Sequence, residues 1–306
     1  MINTPIEALH GRARQSIILL SLALLPGLGR VRRLYRALGS NNCLCESRRY
    51  LNLGYWEDGT DTLDAAAECL AMRVAETANI GPRDSVLDVG CGFAEHDMLW
   101  VGHYGPQHLI GVNISSEQLA MAAQLHPHRK RVGVGLLAAD AVRLPFADAS
   151  FDAVLGVESA FHFRTRKAFF EEALRVLKPG GRLALADLCG VDRRLAAKDR
   201  LAQFVARSFW QIPKENLVPS AEYAKQLQAT GFANVSVKSI WHRVYPRFAD
   251  YARHRLRVPE VAARLSPVFR RMLIASLGAR HKLDPEAMDY VLVSAHKPTT
   301  AGALTG

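Results

Sequence analysis

Residues Val86 to Asp97 read Val-Leu-Asp-Val-Gly-Cys-Gly-Phe-Ala-Glu-His-Asp, and this stretch decides the fold of the chain. An apolar strand ends here in a Gly-x-Gly turn, and an acidic residue, Asp88, lies two places before the first glycine. Gly90 and Gly92 permit a sharp turn and a close approach of the backbone to a ligand. The arrangement is therefore typical of a nucleoside-binding turn at the carboxyl end of a strand.

The residue that follows this turn distinguishes between two nucleoside cofactors. A dinucleotide fingerprint has a third glycine or alanine where its phosphate-binding helix packs close to the strand. Here Glu95 occupies that place, and its carboxylate would face the phosphates of NAD. S-adenosylmethionine (SAM) has no phosphate and carries a positive sulfonium, so the acidic residues favour SAM. An NAD-dependent oxidoreductase is the disfavoured alternative.

Polar residues end the strands that follow. Asn113 ends the second predicted strand, about 20 residues beyond the turn, where nucleoside-binding folds place a ribose-contacting residue. Ile114 and Gln118 would complete that wall. Asp140 follows the third strand and can accept a hydrogen bond from the adenine amino group, and Glu158 ends the fourth. The predicted strands after the first span residues 108–113, 132–137, 151–157, 182–188, 235–241 and 290–295.

The order of these motifs, from about residue 50 to residue 297, resembles that of the class I SAM-dependent methyltransferases. Within the family the chain resembles the small-molecule branch, which includes antibiotic-sugar O-methyltransferases, tocopherol methyltransferase and enzymes that act on lipid-like or polyketide substrates. Two residues depart from the family pattern: Ala94 replaces the third glycine, and Asn113 replaces the acidic ribose ligand. The segments that carry the resemblance are Asn52-Leu-Gly-Tyr-Trp56, Leu144-Pro-Phe146, Ser150-Phe-Asp152 and the closing stretch from Asp289 to Pro298.

The resemblance implies SAM as the cofactor and a set of cofactor-binding positions. Cys91 would contribute through its backbone, Glu158 would support the cofactor, and Tyr55 with Trp56 would fold over its methionine portion. The other implied positions are Asp88, Gly90, Gly92, Asn113, Ile114, Gln118, Asp140 and Ala141. No metal is expected, because the five cysteines are scattered and none has zinc-finger or Cys-x-x-Cys spacing.

Length and composition agree with one large enzyme domain. The chain has 306 residues, 49% of them hydrophobic, which is enough for one core with a substrate cap. Strands alternate with helical segments, a pattern that requires a parallel sheet with helices on both faces. We therefore expect an α/β, Rossmann-like, seven-stranded, mostly parallel sheet within residues 51–297. Helices are predicted over residues 115–124, 166–176, 248–256 and 261–277.

Three further regions are predicted around this sheet. The resemblance implies helical cap elements over the substrate at about residues 193–219 and 246–284. A basic and apolar helical extension is expected at residues 1–50, and a flexible tail at residues 298–306.

The net charge of +10 is concentrated outside the cofactor-binding core. Residues 243–280 hold nine arginines against two acids, and residues 10–40 hold six arginines and no acid. The arginines of residues 243–280 suit an anionic acceptor or form a solvated face. Nucleic acid is disfavoured as a partner, because the loop Glu158-Ser-Ala-Phe-His-Phe163 lacks the proline pair with which base-methylating enzymes engage an extruded base.

Residues 16–25 form an apolar run that is stopped by Pro26 and Gly27. The run is too short to span a bilayer, which needs about 20 helical residues. It is either a helix packed on the enzyme body or an interfacial segment, residues 12–36, with arginines held by anionic lipid head groups. We expect a cytoplasmic protein, membrane-associated under the second hypothesis, that is a monomer or a homodimer.

His162 and Asp187 are the candidate catalytic residues. Methyl transfer to a hydroxyl requires an oriented acceptor and removal of its proton. His162 lies just beyond the fourth strand, on the face where open α/β sheets bind ligands. Asp187, at the end of the fifth strand, is predicted to be a second base or the partner that orients an imidazole. The alternative is that His162 only packs beside the cofactor. The sugar-methylating relatives have a pair of histidines in this loop, and in this chain Phe161 stands at the position of the first histidine.

The sequence thus predicts SAM-dependent methylation of a small acceptor, most readily at a hydroxyl of a hydrophobic natural product or lipid-like molecule. N- or C-methylation of a similar acceptor is one alternative. A catalytically silent SAM-binding protein, associated with a membrane or a biosynthetic assembly, is another, because the glycine turn with Asp88 and Asp140 argues only for cofactor binding.

Overall fold

The computed structural model describes residues 44–192, 200, 203–204, 207, 211–277 and 288–299. The apolar run at residues 16–25, most of the first predicted cap element and most of the tail lie outside these residues. Of the predicted helical extension, only residues 44–50 are described, and they form bends and coil, not a helix. Within the described residues, no helix combines the length and the apolar character needed to cross a membrane.

The described strands form one mixed sheet in the order β3-β2-β1-β4-β5-β7-β6. Strands β1 to β5 run parallel to one another, and β7 runs antiparallel to β5 and β6. The predicted seven-stranded, mostly parallel sheet is confirmed. The strands are β1 Ser85–Val89, β2 His108–Asn113, β3 Val134–Ala138, β4 Phe151–Val157, β5 Leu177–Cys189, β6 Ala233–Ser239 and β7 Asp289–His296.

Helices cover both faces of the sheet. Helices α1, α2 and α6 contribute to one buried apolar cluster and helices α4 and α5 to a second. The order of the sheet reverses between β1 and β4, and open α/β sheets bind ligands at such a switch point. The described helices are α1 Leu63–Ala78, α2 Glu95–Tyr104, α3 Ser116–Leu125, α4 Arg166–Val176, α5 Ser220–Thr230, α6 Trp241–Arg255, α7 Pro259–Ala262 and α8 Pro267–Ser276.

The segment between β6 and β7 differs from its prediction. The sixth strand was expected to reach Trp241, but Trp241 begins α6, and the buried residues Trp241, Val244, Phe248 and Ala252 recur at helical spacing. The single helix expected over residues 261–277 is two helices, α7 and α8. The first of them already ends at Ala262, and Pro267 starts the second, as is common for a proline at the first position of a helix.

Helices α6 to α8 pack against the start of the domain. Trp56 and Leu63 share a buried cluster with Phe248, Leu256 and Leu273. The described part of the second predicted cap element therefore covers α1 and the chain that leads into it. Among the side chains that the structure describes between residues 246 and 277, none lines the cavity described below.

Candidate active site

A cavity opens at the carboxyl ends of β1, β2 and β4, next to the switch point. It holds about 1010 Å³ of empty space, a volume that includes space open to solvent. Five segments form its wall: residues 49–52, 89–96, 112–118, 139–141 and 157–164. The sequence predicted all of them except the first.

The glycine turn lies directly in this wall. Gly90 and Gly92 have φ angles of 93° and 56°, in the left-handed region that favours glycine. A Cβ atom on Gly90 would lie 2.3 Å from Cβ of Ser159. Ser159 in turn donates a hydrogen bond of 2.5 Å to the carbonyl of Val89. The turn is therefore packed against the loop after β4, and a side chain at Gly90 would separate the two.

The predicted ribose and adenine positions come together on one side of the cavity. Asn113 donates from Nδ2 to Oε1 of Gln118 at 2.9 Å. Nε2 of Gln118 is buried and has no hydrogen-bond partner among the described residues. Asp140 accepts a hydrogen bond from the backbone N–H of Val142 at 3.2 Å through one oxygen. Ile114 and Ala141 also line the cavity, so this side offers an unused amide donor and a carboxylate between apolar walls.

Glu158 lies at the centre of the wall with an unusual backbone, at a φ of 51°. Its Oε1 accepts hydrogen bonds from the backbone N–H of Leu53 at 2.5 Å and from the hydroxyl of Tyr290 at 2.7 Å. Burial raises the pKa of the Glu158 carboxyl to about 7. Glu158 thereby ties the chain before α1 to β4 and β7.

Asp88 lies beneath the glycine turn and does not line the cavity itself. Its Oδ2 is 2.7 Å from Nε2 of His96, and the ring of His96 does line the cavity. Burial raises the pKa of Asp88 to about 7, and burial together with Asp88 raises the pKa of Asp97 well above its usual range. Both shifts favour the protonated form of these two adjacent carboxyls.

The same three side chains are the one group in the described part of the chain that has the spacing of metal ligands, with ligand atoms within 4.8 Å of one another. Oδ2 of Asp88 is bonded to His96, whereas the other oxygen of Asp88 and both oxygens of Asp97 are buried without a hydrogen-bond partner among the described residues. Cys91 lies beside it with its backbone in the cavity wall, and burial raises the pKa of its thiol well above the ordinary value.

His162 lines the cavity at the end of a 3-10 turn that spans Ala160–His162. Its side chain is buried, and burial lowers the pKa of the imidazole to about 3. The ring is therefore neutral at physiological pH and has a nitrogen lone pair that can accept a proton. It packs on the ring of Phe161 with the centroids 4.1 Å apart.

The structure does not bring Asp187, the second predicted catalytic residue, to the cavity. Its carboxylate has no exposed surface and lies behind the loop that carries His162. Oδ1 accepts a hydrogen bond from the backbone N–H of Phe161 at 3.0 Å, and Oδ2 accepts one from the Tyr223 hydroxyl at 2.9 Å. Nε of Arg166 lies 3.0 Å from Oδ2. A carboxylate that is occupied in this way cannot reach an acceptor.

Tyr55 and Trp56 also lie away from the cavity wall. Trp56 is buried against Tyr251, and its indole N–H donates to the carbonyl of Leu53 at 2.9 Å. The guanidinium of Arg73 lies over the ring of Tyr55 at 5.2 Å. The chain reaches the cavity a few residues earlier than predicted, because α1 and α6 hold the aromatic pair.

Several lining residues were missed from the sequence. Glu95 and His96 had a signal, since they occupy the first turn of the helix after the glycine turn. The other missed residues either adjoin predicted positions or lie in the chain before α1 and after β4. The missed residues are Arg49, Tyr50, Leu51, Asn52, Val89, Phe93, Glu95, His96, Val112, Ser115, Ala139, Val157, Ser159, Phe163 and Arg164.

The residues of the cavity fit SAM. Gln118 offers a buried amide donor without a partner in the described chain, beside the position predicted for the ribose. Gly90 and Gly92 line the cavity and have no side chain to obstruct a ligand. Glu95 lines the cavity at the start of α2, where it would repel a phosphate but not a sulfonium or an ammonium group.

The chain is similar to known proteins over most of its length. The methyltransferase domain family matches residues 87–185. Erythromycin 3''-O-methyltransferase of Saccharopolyspora erythraea is 35% identical over 279 residues, which cover 88% of this chain and 90% of that protein. O-methyltransferase resE of Aspergillus sclerotiorum is 32% identical over 200 residues, which cover 64% of this chain and 74% of that protein.

A solved structure has a similar fold. The cyclase SpnF superposes with a TM-score of 0.67 at 25% sequence identity, and the match covers 90% of this chain and 97% of that one.

Proposed function

Because this chain belongs to the class I SAM-dependent methyltransferases, we propose that it methylates a hydroxyl group of a small, hydrophobic natural-product or lipid-like acceptor. The observation that carries the proposal is the buried, neutral imidazole of His162 in the cavity wall. A neutral imidazole is the group most often used to remove a hydroxyl proton. Two relatives that are named O-methyltransferases support the same chemistry.

The residues of the cavity divide into two sets. SAM supplies a methyl group on a positively charged sulfur, which makes that carbon open to attack by an acceptor oxygen. We propose that Asn113, Gln118 and Asp140 hold the adenosine portion, while Gly90 and Gly92 permit its close approach. The remaining wall, near His162, would receive the acceptor.

His162 would act as the general base. Its pKa of about 3 makes the ring a weak base in the free protein, so the proton would pass to an imidazole nitrogen as the acceptor oxygen bonds to carbon and becomes more acidic. The buried setting also excludes water from the reacting oxygen. Asp187 does not accept the proton under this proposal, because its oxygens are engaged behind the loop.

The apolar lining supports a hydrophobic acceptor. Leu51, Phe93, Ile114 and Phe163 line the cavity together with Tyr50. Rings and alkyl groups of an acceptor would be buried against these side chains, and one hydroxyl would be directed to His162.

Transfer of a labelled methyl group from SAM to a panel of hydroxylated macrolides, aromatic polyketides and prenylated phenols tests this proposal. We expect label in an ether, and we expect His162→Ala to lower kcat at least 100-fold while SAM affinity changes less than 2-fold. Acceptors with the same skeleton but without the free hydroxyl are the controls. Label on nitrogen or carbon would contradict O-methylation and support N- or C-methylation. Binding of SAM without transfer to any acceptor would support the catalytically silent SAM-binding protein.

The label must be followed directly, because the fold is not restricted to methyl transfer. The similar structure of SpnF is described as a cyclase. If the acceptor is consumed but carries no labelled methyl group, the reaction is a rearrangement and not a methyl transfer.

Contact of residues 12–36 with a membrane stays a prediction, since these residues lie outside the described part of the chain. Flotation of the full-length protein with anionic vesicles, compared with a chain that begins at Arg48, tests it. Equal flotation of the two proteins would contradict the membrane contact. The cytoplasmic location and the choice between monomer and homodimer likewise stay predictions.

A further inference from the structure

The loop that carries His162 is held by buried polar side chains from distant parts of the sequence. The loop is a single 3-10 turn, Ala160–His162, which leaves most of its backbone groups without partners in regular structure. Buried backbone groups need hydrogen bonds, so side chains must supply them. Two side chains do so, one on each side of the loop.

Asn216 holds one side of the loop. Its Nδ2 donates to the carbonyl of Phe161 at 3.1 Å and to the carbonyl of Phe163 at 2.7 Å. Its Oδ1 accepts a hydrogen bond from the backbone N–H of Arg166 at 3.0 Å. The side chain is 1% exposed, so all of its hydrogen-bonding capacity is directed at this loop and the start of α4. The two carbonyls that it binds flank His162 directly.

Asp187 holds the other side. Its Oδ1 accepts from the backbone N–H of Phe161, the residue before His162, at 3.0 Å. Its Oδ2 is fixed by the Tyr223 hydroxyl at 2.9 Å and by Arg166, whose Nη2 also donates to the carbonyl of Leu188 at 2.7 Å. The guanidinium of Arg166 lies over the ring of Tyr223 at 4.4 Å. The buried charge is therefore paired, and the carboxylate cannot rotate away from the loop.

These contacts fix backbone groups of Phe161 and Phe163, the residues before and after His162, and none of them involves the imidazole ring. Neither Asn216 nor Asp187 lines the cavity. Their effect on a ligand must therefore pass through the loop. The polar bonds come from β5 and from the turn Lys214–Asn216, so the position of the imidazole depends on elements outside the cofactor-binding half of the domain.

We propose that Asn216 and Asp187 are positioning residues that set the imidazole of His162 at the distance from the acceptor hydroxyl that proton removal requires. The proposal rests on the proposed function, in which His162 is the general base. A displacement of about 1 Å in a reacting group can lower a rate about 100-fold. Loss of the Asn216 contacts therefore lowers turnover while leaving the cofactor side of the cavity intact.

Asn216→Asp tests the proposal with little change of shape, since it removes both donors and turns a carboxylate oxygen toward two carbonyls. We expect kcat to fall about 10- to 100-fold, and the affinity for SAM and the acceptor KM to change less than 3-fold. Asn234→Asp is the matched control, because Asn234 is exposed on the edge strand β6; its kcat should equal that of the wild type. A wild-type kcat in Asn216→Asp would overturn the proposal.

A double variant separates positioning from general damage. If Asn216 acts through His162, then Asn216→Asp lowers kcat in the wild type but has no further effect in His162→Ala. If it lowers kcat by the same factor in both backgrounds, its role is structural and the proposal fails. Full activity of His162→Ala would instead refute the base assigned in the proposed function, whatever the effect of Asn216→Asp.

Tyr223→Phe provides a milder test if Asn216→Asp does not fold. It keeps the ring under Arg166 and removes one hydrogen bond to Asp187. We expect a 3- to 10-fold lower kcat with a shifted or broadened ring signal of His162 in the NMR spectrum, and unchanged affinity for SAM. An unchanged ring signal together with an unchanged kcat would count against positioning by Asp187.

Discussion

Gly111, in the middle of β2, illustrates how one residue determines the arrangement under the cofactor turn. Its φ angle is ordinary, so its role is not conformational freedom. A Cβ atom there would lie 2.6 Å from Oδ2 of Asp97 and 2.9 Å from Sγ of Cys91. The absent side chain thus leaves room for the buried Asp88, His96 and Asp97 cluster, which places the ring of His96 in the cavity.

Gly111→Ala is expected to destabilise the protein by about 1–3 kcal/mol, because overpacking beside buried groups forces them to move. Gly135, on the neighbouring strand β3, is the control. A Cβ atom on Gly135 would find its nearest neighbour at 3.7 Å, which is ordinary contact, so Gly135→Ala should be neutral or stabilise by up to about 1 kcal/mol. Chemical unfolding of both variants measures the difference, and equal effects would contradict the steric argument.

Glu158 couples stability to pH. Burial raises its pKa from 4.5 to about 7, so the folded state favours the protonated carboxyl. The stability that this group contributes is complete below pH 4.5 and is lost as the pH rises through about 7. Relative to Glu158→Gln, which mimics the protonated form, the wild type should lose on the order of 3 kcal/mol between pH 4.5 and pH 8.

Urea unfolding at several pH values checks this expectation. Glu171→Gln serves as the control, since it makes the same substitution at a side chain that is 58% exposed. A constant difference between the wild type and Glu158→Gln would show that the carboxyl is not held protonated.

Among the helices and strands, the sequence predicts the bounds of those elements that depend on neighbouring residues. The bounds of β4 agree with the prediction because a continuous apolar run forms a buried strand. Those of α4 agree as well, because Thr165 caps the helix by accepting from the N–H of Ala168. The start of α6 at Trp241 had no such signal, since it depends on burial of Trp241 and Val244 against the sheet.

The candidate site likewise contains residues with a local sequence signal and residues placed only by long-range contacts. The cofactor side was predicted from the glycine turn and the strand ends, each of which is a local pattern. Asn216 contacts Phe161 and Phe163 from more than 50 residues away, and nothing near it in the sequence indicates this. The orientation of the Asp187 side chain was also not predictable from the local sequence, because Arg166 on α4 and Tyr223 on α5 determine it.

The packing of α6 to α8 gives a prediction at this scale. Phe248 is 5% exposed, in the cluster that joins these helices to α1. Phe248→Ala should lower the free energy of unfolding by about 3–5 kcal/mol. Below its unfolding temperature the variant should keep the wild-type affinity for SAM and the wild-type acceptor KM, because none of the described residues of α6 to α8 lines the cavity.

Phe163→Ala is the contrasting variant, since Phe163 does line the cavity. It should raise the acceptor KM with a smaller loss of stability. If Phe248→Ala instead raised the acceptor KM, that result would support the predicted cap over the substrate.

At the scale of the whole molecule, the sheet order brings separate polar groups to one place. Parallel strands β1, β2 and β4 end at the same edge, so Asn113, Glu158 and the glycine turn meet although they are far apart in sequence. The two core clusters lie on opposite faces of the sheet and hold these strand ends in place. A ligand that fills the cavity therefore contacts several segments and stabilises the fold as a whole.

S-adenosylhomocysteine should consequently raise the unfolding temperature, and NAD should not. A ligand at 100 times its Kd stabilises the native state by about 2.7 kcal/mol, which corresponds to a few degrees for a domain of this size. NAD would place its phosphates near Glu95, in the wall at the start of α2, where the carboxylate repels them. Thermal unfolding of the full-length protein with each ligand measures the two shifts, and Asp140→Leu should reduce the shift with S-adenosylhomocysteine. A shift with NAD as large as that with S-adenosylhomocysteine would contradict the assignment of this cavity to the SAM cofactor.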